Sequence, residues 1–347
     1  MILKIVLFLL ILLIFISVIF VLKHMLFNKV IVFICTLGII YILIFPQRCM
    51  TASIYGAEIF FKSVFPALFP FLVLTNLLFL YDGINIYSKI FGNILCKPLK
   101  LPKEASVVLI ISFLCGYPLG AKYSFDLYNK GIIDYYDFNR LASIASNSSP
   151  IFMIGTIGTA IYGNPLLGYI LLGGNLLSCI AMGLILPGRK SNLYSKKISR
   201  KISIVKIDFS NALKDSITLA FETILVILGF IVIFSIIITM LRDSFIFSNL
   251  QATKLKLLLP IIYGSIELTN GCFLIANTSF NMFAQIIIIA FLLGFGGLSI
   301  TMQVYSFIGK SKLPMKIYMK RKLLQGVIAS IITGLLYFIV SSLIGIS

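Results

Sequence analysis

Residues 105–128 read ASVVLIISFLCGYPLGAKYSFDLY, and residues 257–276 read LLLPIIYGSIELTNGCFLIA. Both stretches are apolar enough to enter a bilayer, and both are broken midway. The first is interrupted by Cys115-Gly116-Tyr117-Pro118-Leu119-Gly120, the second by Gly264 and by Glu267-Leu268-Thr269-Asn270-Gly271. Gly and Pro at mid-depth interrupt a helix and free backbone groups, which survive in a membrane only where protein or a wet cavity satisfies them. Each stretch therefore reads as a re-entrant helical hairpin.

The surrounding chain supplies the membrane context. Of 347 residues 60% are hydrophobic and 12% charged, against roughly 45–50% and 25% in an ordinary soluble domain. Mean hydropathy is +1.08. Too few polar residues exist to cover a soluble fold, which excludes a cytosolic enzyme, a secreted disulfide scaffold and a disordered tail. Spanning helices need about 20 mostly apolar residues. Eight stretches meet or approach that: 2–22, 30–46, 64–80, 140–161, 166–187, 213–241, 283–308 and 323–346. The first lacks a small-residue cleavage site and reads as an uncleaved span. The predicted fold is an all-α polytopic membrane protein with about eight transmembrane helices and two re-entrant hairpins.

The net charge of +18 is concentrated in short loops between apolar spans, the pattern of the positive-inside rule and not of nucleic-acid binding. Segments 189–206 and 309–322, the latter with Lys310, Lys312, Lys316, Lys320, Arg321 and Lys322, are both expected in the cytoplasm. Both stay on one side only if 257–276 does not cross. The same count lets 105–128 enter from the cytoplasm and leaves both termini outside.

The two halves then run alike: span, hairpin, broken span, last span. Asn147-Ser148-Ser149-Pro150 and Gly294-Phe295-Gly296-Gly297 break the spans that follow the hairpins. The hairpins enter from opposite sides, so the repeats are inverted. Interrupted segments at corresponding places in two halves point to a transport site at the midplane; the competing reading is close helix packing at small residues.

The substrate-binding residues expected at these breaks are Gly116, Tyr117, Pro118, Gly120, Lys122, Asn147, Ser148, Ser149, Asn270, Gly296, Gly297 and Gln303. Half-helices starting after Pro150 and Gly297 would aim free N–H groups at the centre, which favours an anion. Lys122 would neutralise that anion, or else snorkel to the interface. Glu267, Thr269 and Glu222 are the ion-coupling set. A carboxylate in a bilayer faces a cavity, pairs, or relays protons; a hydrogen-bonded structural role is the alternative for both glutamates. Six scattered cysteines without a C-x-x-C and the lone His24 leave no material for a metal site or a Ser-His triad. Neither a cofactor nor catalysis is expected.

The segments FPALFPFLVLTNLL (65–78), FLCGYPLGAK (113–122), NSSPIFMIGTIG (147–158), GSIELTNG (264–271) and GFGGLSITMQVYS (294–306) resemble the sporulation integral membrane protein YlbJ family, within the wider group carrying nucleoside-recognition Gate repeats. On that resemblance the chain divides into an N-terminal helix pair (1–50), a first Gate-like repeat (51–188), a basic cytoplasmic loop (189–206) and a second, inverted Gate-like repeat (207–347). The resemblance implies a role in endospore formation and movement of dipicolinate, a small aromatic anion, across the membrane around the forespore. It also implies likeness to concentrative nucleoside transporters in the use of hairpins and broken helices. Transport of a nucleoside or another metabolite, and a non-transporting scaffold for spore cortex or coat assembly, are the other functions to weigh. The partners expected are the anionic substrate and the lipid bilayer.

Overall fold

The structure, a computed structural model, describes residues 27–188, 208–244, 257–309 and 313–344. The expected span 2–22, the basic loop 189–206 and residues 310–312 lie outside these. Among the described residues every regular element is helical. Among the described residues four helices are long and apolar enough to cross a membrane: Pro165–Ile185, Phe209–Asp243, Met282–Ile308 and Met315–Leu343. Two sharply bent pairs, Lys29–Ile44 with Pro46–Val64 and Leu68–Leu80 with Gly83–Cys96, raise the number to six if each counts as one span. The expected stretch 140–161 is not one continuous helix.

The chain forms two compact units. The smaller comprises residues up to Gly56 together with Val232–Leu259. It contains helix α1 (Phe27–Ile44), the start of α2 (Pro46–Ile59) and the end of α9 (Phe209–Asp243). Pro46 ends α1, because proline disfavours helix at the residue before it and cannot donate to the turn behind it. Asp243 accepts hydrogen bonds from Tyr41 Oη at 2.7 Å and from Arg48 Nη1 at 2.6 Å, tying α9 to α1 and α2.

The larger unit, Ala57–Ile231 with Pro260–Ser347, contains the remaining helices. Besides the short helical turns Phe60–Val64, Gly92–Cys96 and Lys103–Ala105, they are α3 (Phe65–Leu80), α4 (Gly83–Phe91), α5 (Ser106–Cys115), α6 (Leu119–Asn129), α7 (Tyr135–Ile144), the π-helix Ile151–Ile161, α8 (Pro165–Ile185), α10 (Leu259–Ile266), α11 (Leu268–Ala276), α12 (Met282–Phe295), α13 (Gly297–Ile308) and α14 (Met315–Ile344). Side chains set several of the starts. Asp134 accepts from Asp137 N at 2.9 Å, Asn164 from Leu166 N at 3.0 Å and Asn281 from Ala284 N at 2.9 Å, each satisfying a donor that the first turn leaves free. Helix α14 packs against both α12 and α8, and α8 packs on the π-helix.

The polarity of α14 is reversed relative to a soluble helix. Leu323, Leu324, Val327, Ile331, Leu335 and Phe338 face outward, whereas Tyr318, Lys322, Gln325, Ala329 and Thr333 are buried. In a membrane the solvent is apolar, so polar groups turn inward to find partners. Arg140, buried on α7, turns inward too: its guanidinium donates to the carbonyls of Gly183 (2.5 Å), Leu186 (3.3 Å) and Lys100 (3.0 Å). It thereby satisfies carbonyls that the end of α8 leaves open.

Candidate functional site: a cavity where four helix breaks meet

The first break follows α5. Gly116, at φ +80°, turns the chain, and its N–H returns to Ser112 O at 3.0 Å. Tyr117 N–H donates to Asn147 O at 2.5 Å. A Cβ on Gly116 would stand 2.6 Å from Ser149 N, so the break is seated directly on the unwound stretch between α7 and the π-helix. Ala145 O accepts from Ser112 Oγ at 2.5 Å, and a Cβ on Gly120 would fall 1.5 Å from that same carbonyl oxygen.

The second break repeats this arrangement with different residues. Helix α10 ends at Ile266, and Glu267 caps α11: Oε1 accepts from Thr269 N at 3.1 Å and Oε2 from Asn270 N at 2.7 Å. Gly297, at φ +78°, lies against the last carbonyls of α10; a Cβ there would be 3.2 Å from Gly264 O and from Ser265 O. The interrupted pair α10–α11 thus sits on the interruption between α12 and α13, as α5–α6 sits on the interruption before the π-helix. The two arrangements touch. Tyr117 reaches Gly296, α6 packs on α13, and α11 packs on the π-helix.

A cavity of about 70 Å³ lies at the meeting point, room for a few waters or part of a small solute. Its polar wall includes Tyr117, Ser148, Ser149, Glu267, Thr269 and Gln303; Leu68, Phe152, Ile227, Ile231 and Ile300 are among its apolar residues. Among the described residues Glu267 is its charged group, and no described Lys or Arg lines the wall. The π-helix, α11 and α13 contribute wall residues within their first two turns, and Tyr117 lines the wall two residues before the start of α6. Such ends carry about half a positive charge apiece. Tyr117 Oη is buried beside Ser148, and Gln303 Nε2 reaches Ser299 Oγ at 3.3 Å.

The structure brings Tyr117, Ser148, Ser149, Thr269, Glu267 and Gln303 together. Gly116, Pro118, Gly120, Gly296 and Gly297 form the docked backbone behind or beside the wall and do not line it. Asn270 is buried, with its N–H held by Glu267. Asn147 lies behind the wall, donating to Ser112 Oγ (3.3 Å) and to Ile144 O (3.1 Å). Lys122 is off the wall: its ammonium donates to Thr223 Oγ1 at 3.1 Å and lies 5.0 Å from the centre of the Tyr123 ring. Glu222 is on the exposed side of α9, also off the wall.

Lys322 departs from the expectation of a basic loop. It lies within α14, is 1% exposed, and donates to Ser146 O and to Gln325 Oε1, the latter at 2.6 Å. Gln325 Nε2 in turn donates to Asn147 Oδ1 at 3.0 Å, and Tyr318 Oη meets Ser146 Oγ at 2.7 Å. The sequence carried a signal for this network. Tyr318, Lys322, Gln325, Ala329 and Thr333 recur at spacings of three and four, one face of a helix.

Residues 61–175 match the Gate family, described as nucleoside recognition. The chain is also 27% identical to the sporulation integral membrane protein YlbJ of Bacillus subtilis (strain 168), over 324 residues that cover 84% of this chain and 78% of that protein. No solved structure matches it. The matched region contains the Gly116 break and the Asn147–Pro150 interruption, and the resemblance read from the motifs is sustained: this is a multi-helix membrane protein with a segment that matches the Gate family, similar over most of its length to the sporulation protein YlbJ.

Proposed function

We propose that this protein transports a small aromatic anion, with dipicolinate as the leading substrate, across the membrane that surrounds the forespore. The observation that carries the reading is the convergence of four helix interruptions, from separate parts of the chain, on one partly polar cavity. Interrupted helices that meet at mid-depth present N–H groups and carbonyls to a solute without exposing them to lipid. The helix N-termini favour negative charge. Tyr117 and Phe152 offer aromatic surface, and the hydroxyls of Tyr117, Ser148 and Ser149 stand in the wall. The name of the relative supports a place in sporulation and in a membrane. Glu267, the charged group of the wall, is the proposed coupling site.

The proposed topology is about eight spans with α5–α6 and α10–α11 as re-entrant hairpins in an inverted repeat. Cysteines placed in 189–206 and 309–322 should both be labelled from the cytoplasm. Labelling of 309–322 from outside would make α10–α11 a crossing and overturn the inverted arrangement.

A nucleoside is the second reading. It is favoured by the description of the matching family and by a wall with no basic side chain among the described residues. Counterflow in proteoliposomes separates the two. Vesicles preloaded with pyridine-2,6-dicarboxylate should take up the labelled compound, and vesicles preloaded with uridine should not take up labelled uridine. The reverse result would establish the nucleoside reading. No counterflow of either would favour a scaffold for cortex or coat assembly. A fluorescent fusion that marks another membrane would remove the forespore location.

A further inference from the structure

We propose that Lys322 is the specificity-determining charge of this cavity, one that favours an anionic solute without touching it; the inference rests on the transport reading. Its ammonium is buried, and the ion pairs among the described residues do not include it. Two of its three donors go to Ser146 O and Gln325 Oε1, both uncharged. Burying a cation without a counter-ion is costly, so a positive group kept in this place has a use that packing does not supply. Its position suggests that use. Ser146 is two residues before Ser148, and Ser148 and Ser149 form the cavity wall. That short chain distance holds the ammonium within roughly 10 Å of Ser148.

At about 10 Å, with an effective dielectric near 20, a unit charge alters the binding of an opposite unit charge by roughly tenfold. Glu267 is buried in the same wall, 3% exposed. A negative and a positive group thus stand near the Ser148–Ser149 wall, and an arriving anion meets a site whose one carboxylate is offset. The rest of the network fixes the geometry. Gln325 and Cys179 both contact Asn147 Oδ1, at 3.0 and 2.7 Å, and Asn147 O receives Tyr117 N–H. The ammonium and the wall therefore belong to one connected set of hydrogen bonds.

The test compares one ring with and without charge: pyridine-2,6-dicarboxylate and its neutral diamide, as substrates or as competitors in counterflow. Lys322→Gln removes the charge. Gln325→Glu keeps the size of the side chain and gives Lys322 a carboxylate partner, cancelling its field even if Lys322→Gln does not fold. In either variant the KM of the dianion should rise at least tenfold relative to that of the diamide. An unchanged ratio in a folded variant, with both KM values moving together, would make Lys322 purely structural. Wild-type protein that takes the diamide in preference to the dianion would also overturn the inference while leaving transport intact. Wild-type protein that takes neither ring compound would sink the aromatic-anion reading and this inference with it, and uridine counterflow then decides whether transport itself stands.

Discussion

Glu267→Gln is expected to abolish uphill accumulation of substrate while substrate-for-substrate exchange continues. The carboxylate is buried in the cavity wall, where its oxygens cap α11 through Thr269 N and Asn270 N. A group that gains and loses a proton in this place changes both the charge of the wall and the strength of the cap. Such a change links proton occupancy to the seating of α10–α11. Glutamine cannot titrate, so the link is cut. It keeps one oxygen for the two N–H groups, which costs about 1–3 kcal/mol for the donor left without a partner; a folded protein is still expected. Glu267→Ala removes both acceptors and should do worse, lowering thermal stability as well as transport. The measurement is uptake into proteoliposomes under an imposed proton gradient, set beside exchange at equilibrium. Undiminished uphill uptake by Glu267→Gln would make Glu267 a structural cap and move the search for a coupling group elsewhere.

Gly120→Ala is expected to remove most of the folded protein from the membrane. Its added methyl would fall 1.5 Å from Ala145 O, and a main-chain carbonyl cannot move aside as a flexible side-chain tip can. Overpacking of a tight core usually costs about 1–3 kcal/mol, and this contact, with backbone as the obstacle, should exceed that range. The carbonyl also accepts Ser112 Oγ, so displacement breaks a buried hydrogen bond and pushes apart the two interruptions that flank the cavity. Gly131, where a Cβ would meet nothing within 4 Å, sits at φ +67° in the loop after α6. Gly131→Ala therefore carries backbone strain alone and should cost about 1 kcal/mol. Abundance and melting temperature in detergent provide the comparison. Near-normal stability of Gly120→Ala would show that α6 can slide off Ala145.

The substitutions act on features of two kinds, those set by local sequence and those made by packing. The interruptions were legible because Gly, Pro and a carboxylate are conspicuous inside apolar stretches, and their cost in a bilayer does not depend on neighbours. Helix α8 was legible as well: 166–187 was expected, and Pro165–Ile185 is observed. The start of α14 was not. The charges at Lys316, Lys320, Arg321 and Lys322 end a hydropathy window, yet lysine and arginine are good helix formers, so the helix begins at Met315, well before its hydrophobic part. Hydropathy marks where a chain tolerates lipid, whereas backbone hydrogen bonding decides where a helix starts.

The sequence by itself thus determined the chemistry of the solvent this chain meets and the places where its helices stop, since both follow from residue type and local spacing. Only the tertiary structure decided which interruptions touch. Gly116 lies on Ser149 and Gly297 on the end of α10, pairings made by packing between segments far apart in the chain. The same packing divided the polar residues into those that reach the cavity and those that do not. Ser148 and Glu267 line it, Lys122 is taken up by Thr223, and Lys322 turns inward from what reads as a surface loop. A side chain's partner across the fold depends on rotation and depth of whole helices, which one-dimensional spacing constrains only to a face.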